Sequence, residues 1–165
     1  TTFTIADLEE ATSRFFKMHW NEPAISLSPP SWLGWHEFHG SVPNFQNAGC
    51  YALFEGRSIV YVGLGASKGG GLYTEHGISR RLLSHVLRRN PTLGKSWYST
   101  RPPWEQVTAI YTIGFNSEFA HLSPALESFQ FASLEQALET PEFKECLPNN
   151  SFKPSPLRGL GRNRA

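Results

Sequence analysis

Two short apolar runs, Cys50–Phe54 and Ile59–Val62, flank Glu55-Gly56-Arg57-Ser58, and this arrangement constrains the fold more than any other stretch of the chain. Apolar runs rich in β-branched and aromatic residues on either side of a glycine-containing turn make an antiparallel hairpin. Each half also carries a tyrosine: Tyr51 follows Gly49-Cys50, and Tyr61 precedes Val62-Gly63. A hairpin needs no phenol to form, so two hydroxyls ten positions apart call for a chemical reason.

The rest of the chain supplies the setting. Thr4 to Met18 has helical period, with Thr4 as N-cap and Ile5, Leu8, Phe15 and Met18 among its apolar positions. From Trp20 to Gly49 the chain is rich in Pro, Ser and Trp and follows neither helical nor strand period, which predicts an ordered, irregular wrap around Trp32, Trp35, Phe38 and Phe45. His36 and His39 lie there at a spacing that could serve a metal, but no third ligand is near in sequence. After the hairpin, "GLGASKGGGLYTEHG" predicts a loop, and no GKS or GKT follows its glycines, so it is not a phosphate-binding P-loop. "ISRRLLSHVLRRN" predicts a helix over about 78–89, with Ile78, Leu82, Leu83, Val86 and Leu87 as its apolar stripe. Arg81, His85, Arg88 and Arg89 take the polar side, and Asn90-Pro91 stops the helix. Gln106 to Phe115 predicts a third strand, and a second helix follows with Ser123 as N-cap and Pro124 at its first position. The tail from Pro148 carries Lys153, Arg158, Arg162 and Arg164 and no acid, a composition suited to disorder or to lying along a polyanion.

At 165 residues the chain fits one domain, divided as an N-terminal helix and aromatic wrap (1–44), a core (45–140) and a basic extension (141–165). A net charge of +1 announces no nucleic-acid binder, although a near-neutral total can hide a basic face. Cys50 and Cys146 lie far apart with no zinc spacing, and as free thiols they favour a reducing compartment, hence a cytoplasmic protein. No apolar run approaches a membrane span, so no membrane partner is expected.

Gly49-Cys50-Tyr51, Tyr61-Val62-Gly63, Arg81 with His85 one turn later, and Glu127 in "ALESFQF" resemble the GIY-YIG nuclease superfamily over about residues 42–131. Cys50 and Val62 stand where the family has isoleucines, the glycine-rich loop is longer than in many members, and Asn150 is the candidate for the family's late asparagine. The resemblance implies an α/β fold with a small, mainly antiparallel three-stranded sheet flanked by helices. It also implies a divalent-metal-dependent endonuclease acting on DNA, double-stranded by preference, with Mg²⁺ or Mn²⁺ as cofactor. The single-domain size is most like that of stand-alone restriction endonucleases of the superfamily, with a homodimer as an option. A toxin or effector nuclease, or a binding module that has lost cleavage, are the alternatives.

By the same resemblance Tyr51 is a base or orienter of the attacking water beside Tyr61. Arg81 holds the scissile phosphate, His85 contacts it or passes a proton, and Glu127, preferred over Glu135, holds the metal. A phenol has an unperturbed pKa of about 10, so Tyr51 acting as a base needs neighbouring cations to lower it. Arg80, Arg88, Arg89, Lys68, Asn150 and Arg158 are the further candidates for nucleic-acid contact.

Overall fold

The structure, a computed structural model, describes residues 2–66 and 76–138. In chain order the elements are α1 (Ile5–His19), α2 (Glu22–Ile25), β1 (Leu33–Trp35), β2 (Ala48–Glu55), β3 (Ser58–Gly65), α3 (Gly77–His85), β4 (Leu87–Arg89), β5 (Tyr98–Thr100), β6 (Ala109–Phe115) and α4 (Leu122–Leu138). The fold is mixed α/β.

The hairpin forms as the sequence predicts and runs longer. Glu55 pairs with Ser58 across a two-residue turn, where Gly56 takes a φ of 59° that a side chain would strain. The central sheet has four strands, not three, in the order β1-β6-β2-β3, and every pairing is antiparallel. The added strand, β1, lies in the segment read as an irregular wrap. It is three residues long, too short to display a period of two. Its flanking tryptophans still obey strand geometry, since Trp32 and Trp35 are both buried and belong to different cores.

Alternation along β2 sorts side chains between the two faces of the sheet. Cys50, Ala52 and Phe54 face a core with Leu8, Phe15 and Phe16 of α1 and Leu126 and Leu134 of α4. Tyr51 and Leu53 face the other core, with Ile78 and Leu82 of α3 and Val86, Leu87, Val107 and Ile110. Three layers result, with α3 on one face and the α1–α4 pair on the other.

Four expectations need correction. Met18 is 60% exposed, because α1 buries Leu8, Ala11, Thr12, Phe15 and Phe16 instead. The helix predicted to reach residue 89 ends at His85, and residues 87–89 form β4 paired with β5. Arg101 ends that helix: its backbone N–H donates to Val86 O at 2.7 Å, its Nε to Leu87 O at 2.6 Å and its Nη2 to Leu83 O at 2.9 Å. Leu83, assigned to the apolar stripe, is 37% exposed, whereas Val86 and Leu87 are buried although they are not helical. Finally, α4 starts at Leu122, so Ser123 lies inside the helix and does not cap it. Its N–H donates to Ala120 O at 3.1 Å, and a short 3₁₀ turn at Ser117–Phe119 leads in.

Candidate active site

The two tyrosines meet on the α3 face of the sheet. Tyr51 pairs with Gly63, and Tyr61 pairs with Leu53, so the rings are diagonal neighbours on one face, within reach of each other. Their centroids lie 5.9 Å apart, and both residues are almost wholly buried. The glycine between them has a steric cause. A Cβ on Gly63 would stand 2.5 Å from Tyr51 Cζ, 2.6 Å from its hydroxyl and 2.7 Å from Tyr61 Cε1. Any side chain at 63 would force one of the rings to shift, so the glycine after Tyr61-Val62 leaves room for two phenols side by side.

A second close approach fixes α3 above them. A Cβ on Gly77 would lie 2.2 Å from Gly65 O, and one on Gly65 would lie 2.7 Å from the Ile78 Cα. The first turn of α3 therefore rests directly on the end of β3. Ile78 N–H donates to Asn47 O at 3.1 Å, and Asn47 Nδ2 donates to Phe115 O at 3.1 Å, which ties the helix start to the sheet.

From that position α3 brings Arg81 to the tyrosines. The Tyr51 hydroxyl lies within hydrogen-bonding reach of Tyr61 and of the Arg81 guanidinium. Burial raises the Tyr51 phenol well above its ordinary value and the nearby Tyr61 adds to this, while Arg81 opposes both without reversing them. Tyr61 is raised as well, chiefly by burial. Among the protein's own groups, desolvation of Tyr51 outweighs the one guanidinium beside it.

His85 lies one turn beyond Arg81 and is exposed. Its pKa is lowered, first by partial burial, then by Arg81 and by Arg101. The neutral imidazole, which can accept a proton, is therefore favoured near neutral pH.

Glu127 approaches from α4, across the sheet. Cys50 marks the junction, with Sγ donating to Ser123 O at 3.3 Å. Burial raises the Cys50 thiol well above its ordinary value, and the Glu127 charge adds to the effect. Glu127 is half-buried and close enough to raise Tyr61 electrostatically. Among the described residues no group of three or more His, Cys, Asp or Glu could hold a metal. A cation here would have one carboxylate from the protein, Glu127, and the remainder of its shell from water and phosphate oxygens, which is how magnesium is commonly held.

The structure thus brings Tyr51, Tyr61 and Arg81 together, with His85 one turn away and Glu127 within electrostatic reach of Tyr61. Arg80 is half-buried and about 100° round the helix from Arg81. Arg88 and Arg89 are exposed on β4, not on the helix. Lys68, Asn150 and Arg158 lie outside the described residues. His36 and His39 separate, one beside Tyr111 with its Nε2 3.5 Å from the Tyr111 hydroxyl, the other stacked on Trp97.

Two neighbours of the cluster escaped the sequence reading. Trp104 packs on Tyr61 with centroids 5.3 Å apart, and Arg101 adds positive charge beside His85. Both sit in a connection with no period, where the only signal was a run of residues without acids. Comparison of the chain with family models, with curated proteins and with solved structures finds no match.

Proposed function

We propose that the chain is an endonuclease of the GIY-YIG type that hydrolyses phosphodiester bonds in DNA with the help of a divalent metal. The observation that carries this reading is the convergence of two buried phenols, a guanidinium and a neutral imidazole at one surface, with a half-buried carboxylate acting on one of the phenols.

Hydrolysis adds water across a P–O bond: the water oxygen bonds to phosphorus, its proton leaves, and the leaving sugar oxygen departs and is protonated. His85 is the better base for that water. Its imidazole is exposed and held neutral, whereas the Tyr51 proton is held firmly by burial. Tyr51 therefore serves as an orienter: its hydroxyl fixes Tyr61 and the Arg81 guanidinium. Arg81 donates to a non-bridging oxygen and offsets the charge that builds there, a task suited to a planar, always-charged fork. Tyr61, beside Tyr51 on the same face, would donate to the phosphate or the water. A divalent ion held through Glu127 would supply Lewis-acid charge to the phosphate and leaving oxygens.

The test is nicking of supercoiled plasmid by the full chain in magnesium and in chelator. Cleavage should require the metal, and Glu127→Gln should reduce it to background while DNA binding persists or tightens, because a negative charge has been removed. Cleavage that is equally fast in chelator, or unaffected by Glu127→Gln, would overturn the single-carboxylate metal site. A plasmid left intact by the wild-type chain in magnesium and in manganese would overturn the nuclease reading.

A further inference from the structure

We propose that the β4–β5 hairpin is a DNA-reading arm that enters the major groove beside the catalytic cluster and sets which sequences the chain prefers. This rests on the nuclease reading above.

Charge is the first observation. Residues 76–104 hold six Lys or Arg and no Asp or Glu. Fifteen basic residues less six leave nine against all fourteen acids elsewhere, so the formal +1 divides into +6 for this segment and −5 for the remainder. The near-neutral total conceals a segment complementary to a polyanion. Of the six, Arg81 belongs to the cluster and Arg101 is spent on the end of α3, while Arg88, Arg89 and Lys95 are exposed on the hairpin or its loop.

The second observation is how the hairpin is held. A two-stranded ribbon alone is marginal in water, and this one is braced from both sides. Arg101 ties its base to α3. The outer strand is bound to the 38–40 segment, with Tyr98 N–H donating to Phe38 O at 2.9 Å and Gly40 N–H to Ser96 O at 2.9 Å. His39 stacks on Trp97 with centroids 4.5 Å apart. Inside the arm, Asn90 Nδ2 donates to Ser99 Oγ at 2.7 Å, and Leu93 N–H and Gly94 N–H close the tip onto Asn90 O and Pro91 O.

All of this bracing orders a surface that the fold itself does not use. Residues 91–96 are exposed, and Leu93 at the tip is 58% exposed. A braced arm that carries three exposed cations and an exposed apolar tip is arranged for something outside the chain. Beyond the contact of Ser96–Tyr98 with the 38–40 segment, the tip is two strands wide: paired strands lie about 4.8 Å apart, and a major groove about 12 Å wide admits a two-stranded ribbon. Arg88, Arg89 and Lys95 then meet phosphates, and Leu93 meets an apolar edge such as a thymine methyl.

The test separates binding from cleavage. Full-length chain is titrated with a labelled random-sequence duplex pool in chelator over a range of salt, and bound sequences are recovered and read. Arg88→Ala/Arg89→Ala/Lys95→Ala should weaken binding on the order of 10- to 100-fold and make the salt dependence shallower by about three, one for each lost phosphate contact. Arg14→Ala/Lys17→Ala/Arg57→Ala removes equal charge away from the arm and should bind as the wild type does. Leu93→Ser should leave pool affinity nearly unchanged and lower the base preference at one or two positions by about tenfold. The arm is overturned if the hairpin triple variant binds with wild-type affinity and salt slope, if the control triple loses as much, if Leu93→Ser selects the same sequences, or if the wild type binds no duplex. Binding that follows the arm without any cleavage in magnesium would retain the arm and discard the nuclease reading.

Discussion

The two faces of the sheet are made by the same strands, yet they use buried polar groups in opposite ways. On the α1–α4 face, the Thr12 hydroxyl donates to Leu8 O at 2.7 Å and accepts from Trp32 Nε1 at 2.8 Å and from Gln130 Nε2 at 3.0 Å. That relay joins α1, α4 and the segment before β1 and points at nothing outside. On the α3 face, Tyr51 lies against Tyr61 and Arg81, one helical turn from the exposed His85. Buried hydrogen bonds in the first case specify how elements dock; in the second they orient groups that reach the surface. Location alone does not separate the two uses, since Thr12 and Tyr51 are both buried. What separates them is their neighbours: Thr12 bonds to groups that stay inside the fold, whereas Tyr51 lies beside an arginine one turn from an exposed histidine.

Phe15 is 1% exposed and packs on Phe16 and Phe129, so Phe15→Ala should destabilise the fold by about 3–5 kcal/mol. Denaturant unfolding measures that loss. Cleavage per folded molecule at low temperature should be unchanged, and a large loss of turnover would mean that the α1 face contributes to the cluster.

The reciprocal change is Arg81→Ala. It removes a half-buried cation from the α3 face, so its effect on melting should be small while cleavage falls about 10²–10³-fold, the usual loss for one donor aimed at developing charge. Arg81→Lys should recover only part of this, because an ammonium lacks the fork. If Arg81→Ala melts early and its rate per folded molecule is normal, the guanidinium is a packing group like Thr12.

Much of the α3 face was legible in the sequence because its signals are local. Tyr51 and Tyr61 stand in runs long enough to read as strands, and Arg81 and His85 are four apart on a helix. The α1–α4 face was legible only as hydrophobic periodicity: Thr12 looked like an ordinary mid-helix threonine, and its partners are 20 and 118 residues away. The same limit explains β4. Val86 and Leu87 continue a helical stripe and are buried in either conformation, so periodicity could not reveal that Arg101, far along the chain, ends the helix at His85. Glu127 was placed by its neighbours in sequence, and its approach to Tyr61 depends on how α4 crosses the sheet, which no local pattern encodes.

A smaller effect tests the closed relay. Thr12→Val keeps the shape of the side chain but leaves Trp32 Nε1 and Gln130 Nε2 without their acceptor in a buried place. Unpaired buried donors cost about 1–3 kcal/mol, and thermal melting should register it with the rate of cleavage intact. Equal stability would mean that water replaces the hydroxyl and that the relay is not closed.

The smallest effect concerns His85 and carries the most mechanistic information. Its folded pKa lies below its ordinary value through partial burial, Arg81 and Arg101, in that order. Between the folded pKa and the unfolded value of about 6.5, the unfolded chain binds more protons, so stability rises with pH through that window and is lower by the full amount below it. The side chain is exposed, which keeps this contribution small. Activity is the sharper readout: if neutral His85 accepts the proton of water, the acid limb of the pH–rate profile follows its depressed pKa. Arg101→Gln removes one of the cations that depress it, so the acid limb, and the His85 resonance in an NMR titration, should both move to higher pH. Arg101→Lys retains the charge and should leave both where they are, while sharing any loss from the broken bonds to Leu83 O and Leu87 O. An acid limb that stays fixed in Arg101→Gln while the His85 resonance moves would assign the base to another group, and Tyr51, released from burial by bound substrate, would be the next to test.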